Sequence, residues 1–147
     1  MTGVVSRHRL VAVLLGMSVV VLSACGSSET AEVSAPLGQA EGVRVVSVEQ
    51  AASLLELAPA PTIVDVRTPQ EFAQGHLEGA VLVDFNAPDF RDRIAEFPRD
   101  GHYVIYCRSG NRSAGARQVM TDLGFTDVAD IEGGVVAWAE QGRPLTS

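Results

Sequence analysis

The sequence predicts an α/β fold with a mainly parallel central sheet of about five strands and helices on both faces. Two observations predict it. Strand-like and helix-like segments alternate along residues 43–147, which is the order of elements that a parallel sheet requires. The strand candidates at residues 62–66 and 102–106 are nearly continuous apolar or β-branched runs, as expected for strands that are buried on both faces.

The first elements lie directly after a polar stretch that ends at Gly42. Residues 43–46 are a short apolar run and predict a strand. Ser47 is placed to cap a helix over residues 48–57, in which the apolar side chains recur at a helical period. A proline-containing break follows, and residues 62–66 predict the second strand.

The middle of the domain continues the alternation. Thr68 predicts the cap of a short helix over residues 69–73, with proline in the first turn and Glu71 at the third position of a capping box. A glycine-rich turn then leads to a third strand over residues 81–83. A helix over about residues 88–97 follows, and it ends at a proline-containing turn.

The last elements surround the second cysteine of the chain. Residues 102–106 predict a buried strand, and residues 113–123 predict a helix that ends at a glycine. Residues 127–131 predict the fifth strand, and a glycine pair leads into a closing helix over residues 135–141. The sequence therefore predicts five strands and five helices.

The first 24 residues have the three-part pattern of a secretory signal: a basic start, an apolar run over residues 10–22 and small residues before Cys25. The apolar run is short for a membrane span. A buried core helix is the alternative, and the basic start and the Ser/Gly-rich exit favour export instead. The ending Leu22, Ser23, Ala24, Cys25 resembles the lipobox of bacterial lipoproteins.

The lipobox resemblance implies that Cys25 is lipidated with acyl chains such as palmitate. The domain would then be anchored to a bacterial cell membrane on its extracytoplasmic side. Residues 25–42 contain the lipidated cysteine and a small, polar, acidic linker, and residues 43–147 form the folded domain.

Charge and cysteine content limit the functions that this domain can have. The chain contains 18 acidic residues, 11 arginines and no lysine, for a net charge of −7. Without residues 1–24, nine arginines remain and the net charge is −9, which argues against nucleic acid as a partner. With Cys25 lipidated, Cys107 is the one free thiol, so no disulfide within the chain is expected.

Cys107 follows the fourth predicted strand and precedes a helix, with Arg108 and Arg112 nearby. Ligands of open α/β sheets bind at the carboxyl ends of strands. The N–H groups at a helix start and two guanidinium groups favour an anion, and the same field lowers the pKa of a thiol. Phosphoryl transfer and sulfur transfer both need such a site, so this reasoning leaves both open.

Three blocks of sequence carry a family resemblance. They are the loop that starts at Cys107, the segment 63–80 with its strand end and Gly-His and Gly-Ala pairs, and the Glu-Gly-Gly segment 132–134 with Trp138. Together they resemble the rhodanese-like sulfurtransferases over roughly residues 43–144. The resemblance implies the rhodanese-like fold and transfer of sulfane sulfur from thiosulfate or a similar donor to a thiophilic acceptor.

The resemblance also implies the roles of the site residues. Cys107 is the catalytic nucleophile and carries a persulfide. The remaining residues of the six-residue loop are expected to bind the donor: Arg108, Ser109, Gly110, Asn111 and Arg112. Thiol-dependent phosphatases and arsenate reductases have a loop that is one residue longer, so the short loop favours sulfur. A sulfane-sulfur carrier without catalytic turnover is the other alternative.

Structural roles compete with several of these assignments. Arg108 could instead be a solvated surface charge, and Arg112 could be the ion-pair partner of a core acid. Ser109 and Ser113 could be helix caps, and for these two serines capping is the preferred interpretation. Asp65 and Arg67 are expected to support the site by pairing with Glu71 or with the loop backbone. His76 is interpreted as hydrogen-bonded in its turn and His102 as an exposed strand-end residue, in preference to a Cys–His pair or a metal site. Trp138 is interpreted as core or rim packing.

The expected partners are a small anionic sulfur donor and an external thiol or other acceptor, because the chain has no second free thiol to unload Cys107. No metal-ligand spacing is present in the sequence, and neither a cofactor nor a metal is expected.

Overall fold

Five parallel strands form one sheet in the order β1-β5-β4-β2-β3 in the computed structural model, which describes residues 42–147. The predicted signal, Cys25 and all of the linker except Gly42 lie outside the described residues. The strands are β1 (Val43–Val46), β2 (Thr62–Asp65), β3 (Val81–Leu82), β4 (His102–Tyr106) and β5 (Asp127–Ile131). Every pairing between them is parallel, which confirms the predicted α/β class.

Within residues 42–147, four helices connect the strands and a fifth follows β5, and the helices cover both faces of the sheet. They are α1 (Val48–Leu55), α2 (Pro69–Ala73), α3 (Phe90–Ala95), α4 (Asn111–Asp122) and α5 (Gly134–Glu140). On one face, α3 and α4 pack through Phe90, Ile94, Ala116 and Met120 against the sheet. On the other face, α1 and α5 pack through Ala51, Ala52, Val135 and Trp138. The predicted burial of Trp138 is confirmed, since only 6% of it is exposed.

Local capping explains why α1 and α2 begin where the sequence predicts. The Ser47 hydroxyl accepts from the backbone N–H of Gln50, and the Gln50 side chain accepts from the Ser47 N–H. Thr68 and Glu71 form the same reciprocal capping box at the start of α2. Each box satisfies two N–H groups that would otherwise have no partner.

Four helices differ from the predicted bounds: α1 ends at Leu55 rather than at residue 57, α5 lies one residue earlier than predicted, and α3 and α4 differ as follows. α3 covers Phe90–Ala95 rather than residues 88–97, and the Arg99 guanidinium donates to the carbonyls of Ile94, Ala95 and Phe97 at its end. α4 begins at Asn111, two residues earlier than predicted, because Gly110 adopts φ 100° and turns the chain directly into the helix.

Parallel pairing brings the ends of β2, β4 and β5 to one edge of the sheet. Asp65 pairs with Tyr106, the residue before Cys107, and Ile105 pairs with Asp130. The predicted thiol therefore lies between two strand ends that each contribute polar side chains. No helix within residues 42–147 is long and apolar enough to cross a membrane.

Candidate active site

Cys107 lies at the bottom of the loop that joins β4 to α4, and only 1% of the residue is exposed. The Gly110 N–H donates to its Sγ atom at 3.1 Å, and the Ser113 hydroxyl lies 3.6 Å from the same atom. Gly110 can direct its N–H inward because its positive φ is readily available only to glycine. The sequence prediction of a thiol in a cradle of N–H groups agrees with this geometry.

The pKa of Cys107 reflects two opposing effects. Burial raises the pKa of this thiol, but hydrogen bonds from Ser113, Ser109 and Gly110 favour the thiolate and lower the pKa below its ordinary value overall. The amino end of the 12-residue helix α4 points at the sulfur and favours a negative charge there. Cys107 is therefore placed to react as a thiolate.

Arg112 is held by Glu71 in a two-point ion pair. Its Nη1 donates to Oε2 and its Nη2 to Oε1, both at 2.7 Å. The Arg112 guanidinium lowers the pKa of Glu71 to about 2. Ion pairing with an acid is the competing interpretation of Arg112, although Glu71 is about three-quarters buried rather than in the core. The positive charge of Arg112 is thus largely compensated before any donor arrives.

Arg108 differs from Arg112 in both exposure and partners. Its side chain is exposed, and none of the ion pairs among residues 42–147 includes it. Of the two loop arginines, Arg108 is the one whose guanidinium is not compensated by a carboxylate of the described domain. Of these two arginines, Arg108 is therefore the one that can bind an anion that approaches the loop from solvent.

Asp65 and Arg67 form a buried pair, but not with the predicted partners. Arg67 donates to both carboxylate oxygens of Asp65, at 2.6 to 2.9 Å, and to the carbonyl of Gly75. Neither residue bonds to Glu71 or to the backbone of residues 107–112, so that part of the prediction is wrong. Residues two apart at a strand end project to the same side, and this places the two side chains against each other.

The pair supports the site indirectly through Tyr106. The Arg67 guanidinium lies 5.5 Å from the centre of the Tyr106 ring, and the Tyr106 hydroxyl accepts from the N–H of Leu77. Tyr106 is fully buried and immediately precedes the nucleophile. The network thus holds the strand end from which Cys107 projects.

Ser109 and Ser113 do not cap α4, so the preferred interpretation of these residues is wrong. The capping position is occupied by Gly110, which has no side chain to donate or accept. Ser113 lies inside the first turn, is fully buried and donates to the Gly110 carbonyl at 3.1 Å or to the sulfur. The early helix start moves Ser113 from a capping position to a position facing the thiol.

The closing helix α5 forms the other wall of the loop. The N–H of Val135 donates to the Cys107 carbonyl at 2.9 Å, and the N–H of Val136 donates to the Arg108 carbonyl at 3.1 Å. Gly134, at φ 59°, lets the backbones approach, since a Cβ there would lie 2.8 Å from the carbonyl carbon of Arg108. The glycine pair in the sequence signalled this contact, although it was interpreted only as an entry to the helix.

Of the histidines within residues 42–147, His76 forms a structural contact in its turn and His102 is exposed at a strand end, as predicted. The His76 Nδ1 atom lies 3.0 Å from the Phe72 carbonyl and its ring stacks on the Phe72 ring. His102 is exposed at the start of β4 and lies 2.7 Å from Asp127. Within residues 42–147, no cluster of three or more acidic, histidine or cysteine side chains is arranged to hold a metal ion.

The comparisons with known proteins match most of the described domain. A family model described as "Rhodanese-like domain" matches residues 47–141. The probable adenylyltransferase/sulfurtransferase MoeZ of Mycobacterium tuberculosis is 38% identical over 82 residues, which cover 56% of this chain and 21% of that protein. This chain therefore spans about a fifth of the length of that relative.

A second relative is of similar size to the described domain. Thiosulfate sulfurtransferase GlpE of Tolumonas auensis is 33% identical over 94 residues, which cover 63% of this chain and 85% of that protein. The crystal structure of a rhodanese-related protein from Thermoplasma volcanium superposes with a TM-score of 0.60 at 33% identity, and covers 70% of this chain and 97% of its own. Fold and sequence thus point to the same family.

Proposed function

The chain belongs to the rhodanese-like domain family, and on that premise we propose that it is a sulfurtransferase in which Cys107 carries sulfane sulfur as a persulfide. The observation that carries the proposal is the buried Cys107 Sγ, which accepts from the Gly110 N–H at 3.1 Å in a six-residue loop at a helix start. Sulfurtransferase is also the activity in the names of the relatives described above.

The first half-reaction loads the sulfur. The Cys107 thiolate attacks the outer sulfur of thiosulfate, and a new bond forms between Sγ and that sulfur. The sulfur–sulfur bond of thiosulfate breaks, and its electron pair leaves with sulfite. Total charge is conserved, because one thiolate and one thiosulfate dianion give one persulfide anion and one sulfite dianion. Sulfite leaves without a proton from the protein, which is compatible with a site in which no histidine or carboxylic acid of residues 42–147 bonds to Sγ.

The second half-reaction unloads the sulfur. A thiolate or another thiophilic acceptor attacks the outer sulfur of the persulfide, the bond to Cys107 breaks, and its electron pair restores the Cys107 thiolate. The acceptor comes from outside the chain, since Cys107 is the free cysteine of residues 42–147. Throughout the cycle one negative charge stays near the loop N–H groups, which are already oriented and need not rearrange.

The other residues of the loop and the start of α4 have separate roles in this reaction. The N–H of Gly110 and the hydroxyl of Ser113 stabilise the charged sulfur. Arg108 is exposed and attracts the sulfonate end of the donor. Arg112 holds α2 against the start of α4 through Glu71, and so keeps the loop in shape.

Mass spectrometry of the full chain tests the proposal. After incubation with thiosulfate, the peptide that contains Cys107 is expected to gain one sulfur, about 32 Da, and to lose it when a small thiol is added. Cys25→Ser is the matched control and keeps the gain, whereas Cys107→Ser abolishes it. If no sulfane donor adds sulfur to Cys107, the proposal is wrong. Loading without repeated turnover would identify the protein as a carrier instead.

Membrane anchoring is a separate proposal, and its support comes from the sequence alone. We propose that Cys25 is lipidated after removal of residues 1–24 and holds the domain on the extracytoplasmic side of a bacterial cell membrane. Cys25→Ser is expected to release the protein from the membrane fraction, with Cys107→Ser as the control that stays. Unchanged retention of the Cys25→Ser variant would contradict the anchor.

A further inference from the structure

A buried carboxyl group lies near the loop of residues 107–112, called the sulfur loop below, and takes no part in the steps above. Asp130, the fourth residue of β5, is only 3% exposed. Its Oδ1 atom is buried and has no hydrogen-bond partner among residues 42–147. Since buried polar atoms are nearly always hydrogen-bonded, an orphaned carboxyl oxygen next to a reactive loop requires an explanation.

Helix α4 presents two polar side chains to this carboxyl. Ser113 and Arg117 are four residues apart and share one face of the helix. The Arg117 Nε atom lies 3.8 Å from Oδ2 of Asp130, so this helix face packs over the carboxyl. On its other side, the Ser113 hydroxyl lies 3.6 Å from the Cys107 sulfur. Ser113 therefore lies on the helix face that covers the carboxyl and also contacts the thiol.

The Ser113 hydroxyl has one proton to donate and two lone pairs to accept with. An ionised Asp130 can only accept, so it competes for the Ser113 proton with the sulfur and with the Gly110 carbonyl, which lies 3.1 Å from the hydroxyl. A neutral Asp130 can donate its own proton to the Ser113 oxygen, and the Ser113 proton then remains available to the sulfur. The two protonation states of Asp130 thus favour opposite orientations of the same hydroxyl.

Burial raises the pKa of Asp130 above its ordinary value, and the Ser113 hydroxyl and the Arg117 cation oppose this effect only in part. The residues that pair with Asp130 on the neighbouring strands, Val45 of β1 and Ile105 of β4, carry no charge. From the loop, the Cys107 thiolate and the Glu71-compensated guanidinium of Arg112 are the charged groups near Ser113. The neutral acid therefore persists to a higher pH than at the protein surface.

We propose that Asp130 is a positioning residue for Cys107: as a neutral acid it directs the Ser113 proton to the sulfur, and as a carboxylate it withdraws that proton. The role rests on the proposed sulfur transfer at Cys107 and adds a pH-dependent control to it. The thiolate and the persulfide anion are both most stable while Asp130 is uncharged. Ionisation of Asp130 makes the sulfur harder to deprotonate, through the lost hydrogen bond and through repulsion between like charges.

Alkylation of Cys107 tests this role without any need for sulfur transfer. The rate of its reaction with iodoacetamide is followed against pH in the full chain, with the modified peptide resolved by mass spectrometry. Asp130→Asn cannot ionise and can donate from its amide, so we expect the midpoint of the profile to fall by about 0.5 to 1 pH unit. That shift corresponds to roughly three- to tenfold faster alkylation on the acid side of the midpoint.

Two further variants test whether the shift in the alkylation profile depends on Asp130 and on the Ser113 hydroxyl. Asp127→Asn makes the same change on the same strand, at a carboxylate that pairs with Arg44 and His102, and is expected to leave the profile unchanged. In a Ser113→Ala background, Asp130→Asn is expected to shift the midpoint by less than half as much. An unchanged profile in Asp130→Asn, or equal shifts with and without the Ser113 hydroxyl, overturns the proposal.

A measurement on the unmutated protein keeps the test independent of how well the variants fold. The Ser113 Cβ resonance is followed by NMR as the pH is raised, together with the Asp130 carboxyl carbon. We expect Ser113 to report two steps, one with the thiol and one with Asp130, and a single step that follows only the thiol contradicts the role. Sulfur loading from thiosulfate, measured in parallel, separates the two proposals: absence of loading overturns the sulfurtransferase, whereas loading with a single Ser113 step overturns only the role of Asp130.

Discussion

The guanidinium of Arg112 and the carboxylate of Glu71 meet through two parallel hydrogen bonds of 2.7 Å, across 41 residues of sequence. Both side chains are about three-quarters buried. The pair joins the first turn of α2 to the first turn of α4, next to the sulfur loop. The ion pair of Glu71 and Arg112 is therefore a brace between the two helices beside the loop.

Glu71→Gln is expected to destabilise the domain by about 1 to 2 kcal/mol, because it removes the charge from a two-point bond to a cation. Urea unfolding of the full chain, monitored by the fluorescence of Trp138, measures the change. Glu78→Gln is the matched control, since Glu78 is exposed and outside the ion pairs of residues 42–147. Equal stability of the two variants would argue against the brace.

The same pair predicts a specific acid sensitivity. Because Arg112 lowers the folded-state pKa of Glu71 from 4.5 to about 2, its contribution to stability is fully present above pH 4.5. The contribution is lost as the pH falls from about 4.5 towards 2. The difference in unfolding free energy between wild type and Glu71→Gln is therefore expected to shrink over that interval. A difference that stays constant down to pH 2 would contradict the assignment. The comparison with the variant removes the parallel effect of Asp127, whose pKa is also lowered.

Gly134→Ala is expected to damage both stability and sulfur loading. A methyl group there would lie 2.8 Å from the backbone of Arg108 and would push α5 away from the loop. Gly142→Ala is the control, because Gly142 has a similar positive φ but no atom within 4 Å of the added methyl group. Strain alone costs roughly 1 to 2 kcal/mol, so we expect the control to lose about that much and Gly134→Ala about 1 to 3 kcal/mol more.

Thermal unfolding and the rate of persulfide formation measure these two effects. Only Gly134→Ala is expected to slow the loading of Cys107. If both variants lose the same stability and load sulfur equally fast, then the contact between α5 and the loop is unimportant for the site.

Arg108→Gln is expected to weaken binding of the donor with little effect on folding. Its guanidinium is exposed and free of carboxylate partners among residues 42–147, so its loss should raise KM for thiosulfate by about three- to tenfold. Steady-state kinetics with a thiol acceptor measure the change, and added salt is expected to reduce the difference from wild type. Arg91→Gln, which removes another exposed arginine, serves as the control. An unchanged KM would show that Arg108 is a solvated surface charge that does not bind the donor.

The elements of the domain were determined by short-range features of the sequence. The capping boxes at Ser47 and Thr68 depend on residues three apart, and the buried strands depend on continuous apolar runs. The position of Cys107 between β4 and α4 follows from the same local patterns. The capping boxes were predictable because their hydrogen bonds join residues three apart. The buried strands were predictable because a continuous apolar run is typical of a strand that is covered on both faces.

The partners of the site residues were decided only by tertiary structure. Glu71 meets Arg112, and Gly134 places α5 against the loop, because parallel crossovers bring distant strand ends to one edge. The exposed or buried state of each arginine depends on the same packing. Ser113 is the clearest case: the left-handed turn at Gly110 starts α4 early and makes a predicted cap into a hydroxyl that faces the sulfur. A hydrogen bond forms with whatever the fold places within about 3 Å, and sequence spacing alone does not determine that.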